Sequence, residues 1–219
     1  MHSEILKELG MAVMNYDPLR AEELARRAME EGLDPLECAD VLIKAIREIG
    51  DKFEEGELFL TDLMAAAMVL EKAMPVLEEE VIKSGRRMRN LGKVVIGTVF
   101  GDIHSIGKTL VATSLTAAGF KVIDLGVNVR ASEFVDAVRR YNPDILAMSA
   151  LLTTTAPEQR RVIEALEREN LRSKVKVIVG GGPITPEFAE SIGADGYAAT
   201  APEAARLAEK LIGGNVNRG

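Results

Sequence analysis

The residues of this chain best equipped for chemistry lie in one stretch, Gly101-Asp102-Ile103-His104-Ser105-Ile106-Gly107-Lys108-Thr109. Histidine is scarce: the chain holds two, and His2 stands at the N-terminus, where order is least expected. Three readings of the stretch compete. Gly107-Lys108-Thr109 has the form of the end of a P-loop, whose successive amides curl round phosphates. That motif needs four residues between its glycines, whereas Gly101 and Gly107 enclose five. Asp102 stands where the first glycine should, and its charge would repel phosphate. A dinucleotide-binding Gly-x-Gly-x-x-Gly is missing as well. The second reading is an ordinary loop with a surface histidine. The third is a metal ligand with a supporting carboxylate. One imidazole nitrogen then binds the metal, while the other gives its N–H to the carboxylate, which fixes the tautomer and raises the ligand's basicity. Asp-x-His in a tight loop suits this. A single protein ligand holds a bare metal poorly, so the metal would have to arrive already held by a macrocycle, with His104 supplying one axial bond.

The elements that must position this loop follow from pattern and punctuation. Residues 1–84 read as helices. Leu6, Leu9, Val13 and Met14 recur at helical spacing. Asp17-Pro18 and Asp34-Pro35-Leu36-Glu37 each open a further helix, with Asp as cap and Pro at the first helical position. The third helix is expected to end near Glu54, before Glu55-Gly56. A fourth spans about 61–83, with Leu63, Met64, Ala67, Leu70, Met74 and Leu77 inward and Pro75 as a possible kink. Together they predict an N-terminal four-helix bundle. Residues 85–92 form a polar, basic connector and mark a domain boundary. From residue 93 to 219 short β-branched runs alternate with helical stretches. Strands are expected at 94–99, 121–125, 145–149, 175–179 and 196–198, and helices at about 105–118, 131–141, 157–170, 186–192 and 202–211. This predicts an α/β unit with a doubly wound, five-stranded parallel sheet of the flavodoxin-like kind. Ligands of such sheets bind at the carboxyl ends of the strands where the strand order reverses, which is where the Asp102–His104 loop falls.

Composition limits the remaining classes. With 219 residues, 47% hydrophobic and 28% charged, the chain can bury a substantial core and is too apolar to be disordered. A net charge of −7 argues against a nucleic-acid partner, and aromatic residues at 4% leave little for base stacking. No apolar run has the length of a membrane span and no signal-peptide pattern opens the chain, so no membrane partner and a cytoplasmic address are expected. The one cysteine, Cys38, allows neither an internal disulfide nor a multi-cysteine metal site.

Downstream of Asp102-x-His104-x-x-Gly107 come Ser149-Ala150-Leu151 and Gly180-Gly181. This series resembles the cobalamin-binding signature Asp-x-His-x-x-Gly, Ser-x-Leu, Gly-Gly. It is shared by methionine synthase, the B12-dependent mutases and the corrinoid proteins of anaerobic methyltransferase systems. In the bundle, Phe53-Glu54-Glu55-Gly56-Glu57-Leu58-Phe59-Leu60, followed by an Ala/Met-rich helix, resembles the cap helices of methionine synthase, which the mutases lack. The resemblance covers nearly the whole chain. It implies a base-off, His-on cobamide with His104 on cobalt, Asp102 accepting the imidazole N–H and the Thr155 hydroxyl completing a relay. Around His104 it places Gly101, Ile103, Ser105, Ile106 and Gly107. The nucleotide tail would lie in a slot lined by Ser149, Leu151, Thr153, Gly180, Gly181 and Ala201. Phe53, Phe59, Leu60 and Leu63 would shield the methyl-bearing face. Plainer readings stand beside these: Gly180-Gly181-Gly182-Pro183 as a turn, Thr153-Thr154-Thr155 as a helix cap, and Leu63 as bundle core. Met64, Met68 and Met74 read as adaptable core filler.

The function implied by the resemblance is that of a methyl carrier rather than a complete enzyme, since the chain has no room for a barrel that binds the methyl donor. The cofactor would be cobalamin or a related cobamide, cycling between Co(I) and methylcobalamin forms. One partner, a substrate methyltransferase using methylamine, methanol, betaine or a methoxy-aromatic, would load the methyl group. A second, acting on a thiol or folate acceptor, would remove it, and a reductive activating protein would rescue oxidised cobalt. Two alternatives are a cobalamin-dependent regulator, which would need a DNA-reading helix and a basic face, and the small subunit of an adenosylcobalamin mutase.

Overall fold

The structure, a computed structural model, describes residues 2–84 and 91–213, and Glu54 by its backbone alone. The expected connector, 85–92, falls almost wholly outside the described residues. Two compact units are present: residues 1–90 with 117–119, and residues 91–116 with 120–219.

The first unit contains α1 (His2–Met14), α2 (Pro18–Glu30), α3 (Pro35–Glu54) and α4 (Leu60–Lys83). The starts of α2 and α3 are fixed by their caps. A carboxylate oxygen of Asp17 accepts the Arg20 N–H at 3.0 Å, and one of Asp34 accepts the Leu36 N–H at 2.9 Å. Each such cap contributes about 1 kcal/mol, and Pro18 and Pro35 follow where a missing N–H costs nothing. At the start of α4 the roles reverse: the Asp62 carboxylate accepts the Phe59 N–H at 2.8 Å. The helix then continues through Pro75. Leu9, Val13, Leu24, Leu42, Ile46, Ile49, Leu63, Leu70 and Leu77 are buried in one apolar core.

The methionines of α4 depart from expectation. Met74 packs against the core, but Met64 and Met68 are 38% and 57% exposed. The core-facing stripe is made by Leu63, Ala66, Ala67, Leu70, Ala73 and Leu77. Met64 and Met68 succeed Leu60 at four-residue intervals and so form a neighbouring stripe. Nearly continuous apolar residues made the two stripes indistinguishable by period alone.

The second unit alternates strand and helix: β1 (Lys93–Thr98), α5 (Ile106–Ala117), β2 (Lys121–Asp124), α6 (Ala131–Tyr141), β3 (Ile145–Ser149), α7 (Pro157–Arg168), β4 (Lys176–Gly180), α8 (Pro186–Ser191), β5 (Gly196–Tyr197) and α9 (Ala201–Gly213). Every strand pair is parallel and the order is β2-β1-β3-β4-β5. One sheet face carries Val95, Leu146, Met148, Val177 and Val179, packed with Phe134 and Val138 of α6 and Val162, Ile163 and Leu166 of α7. The alternate residues Val94, Ile96, Ile145, Ala147 and Ile178 face the other side and are buried too. Burial of both faces explains why these strands read as unbroken apolar runs. β2 and β3 flank β1 on opposite sides, so the strand order reverses there, and ligands of such sheets bind above the ends of β1 and β3. There the register aligns Thr98 with Ser149 and Ser149 with Gly180. No helix among the described residues is long and apolar enough to cross a membrane.

Candidate functional site

The loop leaving β1 turns its polar groups inward on one carboxylate. Asp102 is fully buried, and both its oxygens are occupied. Oδ1 accepts the His104 backbone N–H at 3.0 Å and meets His104 Nδ1 at 2.7 Å. Oδ2 accepts the Leu151 N–H at 2.7 Å and the Thr155 hydroxyl at 2.8 Å. Burial pushes the Asp102 carboxyl up, but the hydrogen bonds from His104, Leu151 and Thr155 outweigh it and hold the group well below the usual carboxylate range. An ionised Asp102 requires the proton on Nδ1. In the neutral imidazole the lone pair then resides on Nε2, on a side chain that is 48% exposed.

Three segments meet in this arrangement: the β1 loop, the second residue after β3 and the approach to α7. Thr155 anchors Asp102 from α7's side, and Leu151 contributes through its backbone N–H while its side chain stays exposed. Ser149 ends β3 half-buried beside Gly180 in register. A Cβ on Gly180 would lie 2.8 Å from the Ala198 carbonyl oxygen, and one on Gly181, at φ +125°, would lie 1.8 Å from that of Ala150. The protein's own backbone thus demands glycine at both positions. Thr153 is exposed beside the loop, and half-buried Ala201 opens α9 beyond Ala198. Gly101, Ile103, Ser105, Ile106 and Gly107 are all exposed around His104.

Lys108 behaves as the P-loop objection requires: it is 3% exposed and paired with Asp124 at the end of β2, out of reach of a phosphate above the loop. Of the expected cap residues, all in the first unit, Leu63 lies in the bundle core and Phe53 packs half-buried against it. Leu60 is half-buried, and Phe59 at the head of α4 is 78% exposed.

Several residues with a hand in the site gave no motif. Gln159 is buried and its amide donates to the carbonyls of Met148 and Gly180, each at 3.1 Å, tying the ends of β3 and β4 together. Thr98 donates its hydroxyl to the His104 carbonyl at 3.0 Å. Asn128 contacts the loop on both sides of Asp102. The one available signal was Asn128's place after Gly126-Val127, where a turn residue is expected.

The donor set fits a metal delivered in a macrocycle. Among the described residues no three His, Cys, Asp or Glu side chains converge as a metal site. His104 offers one nitrogen, and Ile103, Ile106, Leu151 and Leu152 beside it are exposed large apolar side chains that a flat apolar ring would cover.

Comparison with known proteins agrees with this geometry. A B12 binding domain family matches residues 92–206, and a second B12 binding domain family matches residues 5–78. The chain is 43% identical, over 97% of its length and 100% of the relative's, to a corrinoid protein of Desulfitobacterium hafniense. It is 42% identical to the trimethylamine corrinoid protein of Methanosarcina barkeri, over 92% of this chain and 93% of that one. Among solved structures it resembles a chain of the methanol:cobalamin methyltransferase complex of Methanosarcina barkeri, with a TM-score of 0.85 and 29% identity, covering 96% of this chain and 80% of that one. The monomethylamine corrinoid protein of the same organism matches with a TM-score of 0.53 and 34% identity, over 96% and 100% of the two chains. With both units matched, the chain belongs to the family of B12-binding corrinoid proteins, and its cofactor is a cobamide of the cobalamin type.

Proposed function

We infer that this chain is the methyl-carrying component of a methyltransferase system, holding its cobamide base-off with His104 as the axial ligand. When bound, the cobamide supplies a cobalt centre able to accept a methyl group and pass it on. The observation that carries the reading is the Asp102–His104–Thr155 array, which leaves Nε2 as an outward-facing lone pair. Asp102 keeps the imidazole in that tautomer, and the Thr155 hydroxyl keeps Asp102 from turning. The exposed apolar side chains about His104 would seat the ring, and Ser149, Thr153, Gly180, Gly181 and Ala201 would line the slot for the nucleotide tail.

The names of its relatives support a small methylated donor, a methylamine or methanol, and hence a dedicated substrate methyltransferase as partner. An acceptor methyltransferase using a thiol or folate and a reductive activating protein complete the proposed system. Exposed Phe59, with Leu60, is the part of the bundle proposed to shield the methyl-bearing face.

His104→Ala tests the ligand assignment. The variant is expected to remain folded by circular dichroism and, after loading with cobalamin, to lose the absorption spectrum of an imidazole-ligated cobamide. A spectrum identical to that of the parent protein would overturn the assignment. With the bound cobalamin first reduced to cob(I)alamin by a chemical reductant such as titanium(III) citrate, incubation with a methylamine or methanol methyltransferase and its substrate is expected to convert the loaded parent protein, and not the variant, to its methylated form at a measurable rate.

A further inference from the structure

Asp102 sits at the tip of a loop, and something must hold that loop while His104 engages and releases a ligand. Beyond the hydrogen bonds to the Asp102 carboxylate the loop has little burial to hold it, because Gly101, Ile103, His104 and Ser105 are all exposed. Further support comes from the segment between β2 and α6. The Asn128 side-chain oxygen accepts the Gly101 N–H at 2.8 Å, and the Asn128 N–H donates to the Asp102 carbonyl at 2.9 Å. One residue therefore grips the backbone before and after the buried carboxylate. Asn128 is itself held at φ 58°, a left-handed conformation that Asn adopts more readily than most residues. Its neighbours lock that segment to β1: the Thr98 N–H donates to the Gly126 carbonyl and the Val129 N–H donates to the Thr98 carbonyl, each at 3.0 Å. Thr98 closes the circle through its hydroxyl bond to the His104 carbonyl.

We propose that Asn128 is a positioning residue for the axial ligand: by clasping Gly101 and Asp102 it fixes where the His104 imidazole points. The proposal rests on His104 being that ligand. It assigns Asn128 no contact with the cofactor, only control over the rigidity of the loop that presents the nitrogen. Losing the side-chain half of the clasp would let the loop sample orientations in which Nε2 no longer aims at its target, weakening retention of the cofactor without altering the ligand itself.

Two variants separate aim from mere folding. Asn128→Gly keeps the left-handed backbone at no steric cost and removes the acceptor; Asn128→Asp keeps an acceptor oxygen in the same place. The full chain, loaded with cobalamin, is followed for release of cobalamin on dilution and for the imidazole-ligated fraction of the absorption spectrum. Amide exchange at Gly101 is followed in the unloaded chain. Asn128→Gly is expected to speed Gly101 exchange and cobalamin release by about fivefold to tenfold each, the effect of one lost hydrogen bond, and to lower the ligated fraction. Asn128→Asp is expected to restore both rates. Faster Gly101 exchange with unchanged release and spectrum would overturn the proposal, as would an Asn128→Asp that behaves like the glycine variant. His104→Ala, run alongside, keeps the failures apart. If it retains the parent spectrum the ligand reading falls, whereas if it loses that spectrum while Asn128→Gly is unaffected, only the clasp falls.

Discussion

Gly181→Ala is expected to destabilise the second unit severely even when no cofactor is present. The new Cβ would lie 1.8 Å from the Ala150 carbonyl oxygen and 2.7 Å from its carbon, and the backbone at φ +125° excludes an L side chain in any case. No side chain can rotate away to relieve this, since the obstruction is backbone. Relief would require the ends of β3 and β4 to separate, breaking the bond from the Ala150 N–H to the Gly180 carbonyl and the turn bond from the Ile184 N–H to the Gly181 carbonyl. A loss of about 4 kcal/mol, or on the order of 15 °C in Tm for a unit of this size, is the expected result of thermal or urea unfolding of the unloaded protein. Gly182→Ala is the control. Its Cβ would meet the flexible end of the exposed Leu151 side chain at 3.3 Å and the Leu151 carbonyl oxygen at an ordinary contact distance of 3.6 Å, and should cost less than about 1 kcal/mol. A Gly181→Ala protein that melts within about 2 °C of the parent would show that the close approach at the end of the sheet does not exist as described.

Asp102→Asn should produce the second large effect, on both stability and ligation. The carboxylate accepts four hydrogen bonds from donors that cannot all turn away, two of them backbone N–H groups. An amide offers one oxygen and one NH2. If its oxygen stays with His104, the NH2 confronts the Leu151 N–H; if it turns, the NH2 confronts the His104 N–H and demands the imidazole tautomer with its proton on Nε2. At about 1–3 kcal/mol for each buried donor left unsatisfied, a loss of about 2–4 kcal/mol is expected, with a drop in cobalamin retention of about tenfold or more. The pH dependence has a defined sign. Asp102 is depressed in the folded protein below its unfolded value of about 3.9, so its contribution is fully present above that value and is lost as pH falls toward the folded one. The stability gap between parent and variant should therefore be constant from about pH 8 to about pH 5 and narrow below about pH 4. A gap that closes between about pH 6 and pH 8 would mean that Asp102 is not the ionised anchor of the loop.

The fold was largely legible because its boundaries are written in side chains with local mechanisms. Asp17-Pro18 and Asp34-Pro35 cap their helices as the sequence implies, and the strands of the second unit appear as apolar runs because both faces of the sheet are covered. The pairing of Asp102 with His104 was legible from their spacing and Thr155 through family resemblance, and the structure brings all three into one hydrogen-bonded array. What escaped is what depends on distant backbone. Asn128 reaches Gly101 across 27 residues, and Gln159 joins two carbonyls at the ends of different strands. Neither has a spacing rule, because parallel strands place their ends together whatever the length of the crossover between them. The glycines were read as room for a ligand, yet Gly180 and Gly181 are first of all room for Ala198 and Ala150. Met64 and Met68 face outward for a different reason: a helix apolar on two adjacent stripes has no unique inward face in its periodicity, and leucines and alanines took the inner one.

The identity of the nitrogen below the cobalt is the point on which the account depends, and it can be measured directly. With two histidines in the chain, His2 and His104, labelling with 15N-histidine marks few nitrogens, and an additional His2→Ala variant leaves His104 alone. Electron paramagnetic resonance of the labelled protein loaded with cob(II)alamin reads the nuclear spin of the axial nitrogen. The predicted result is that the superhyperfine pattern changes from triplet to doublet on labelling, in the parent and in His2→Ala alike, and that His104→Ala loses the label's effect. A triplet that persists in fully labelled protein would show the cofactor's own base still on cobalt and would contradict the assignment of His104.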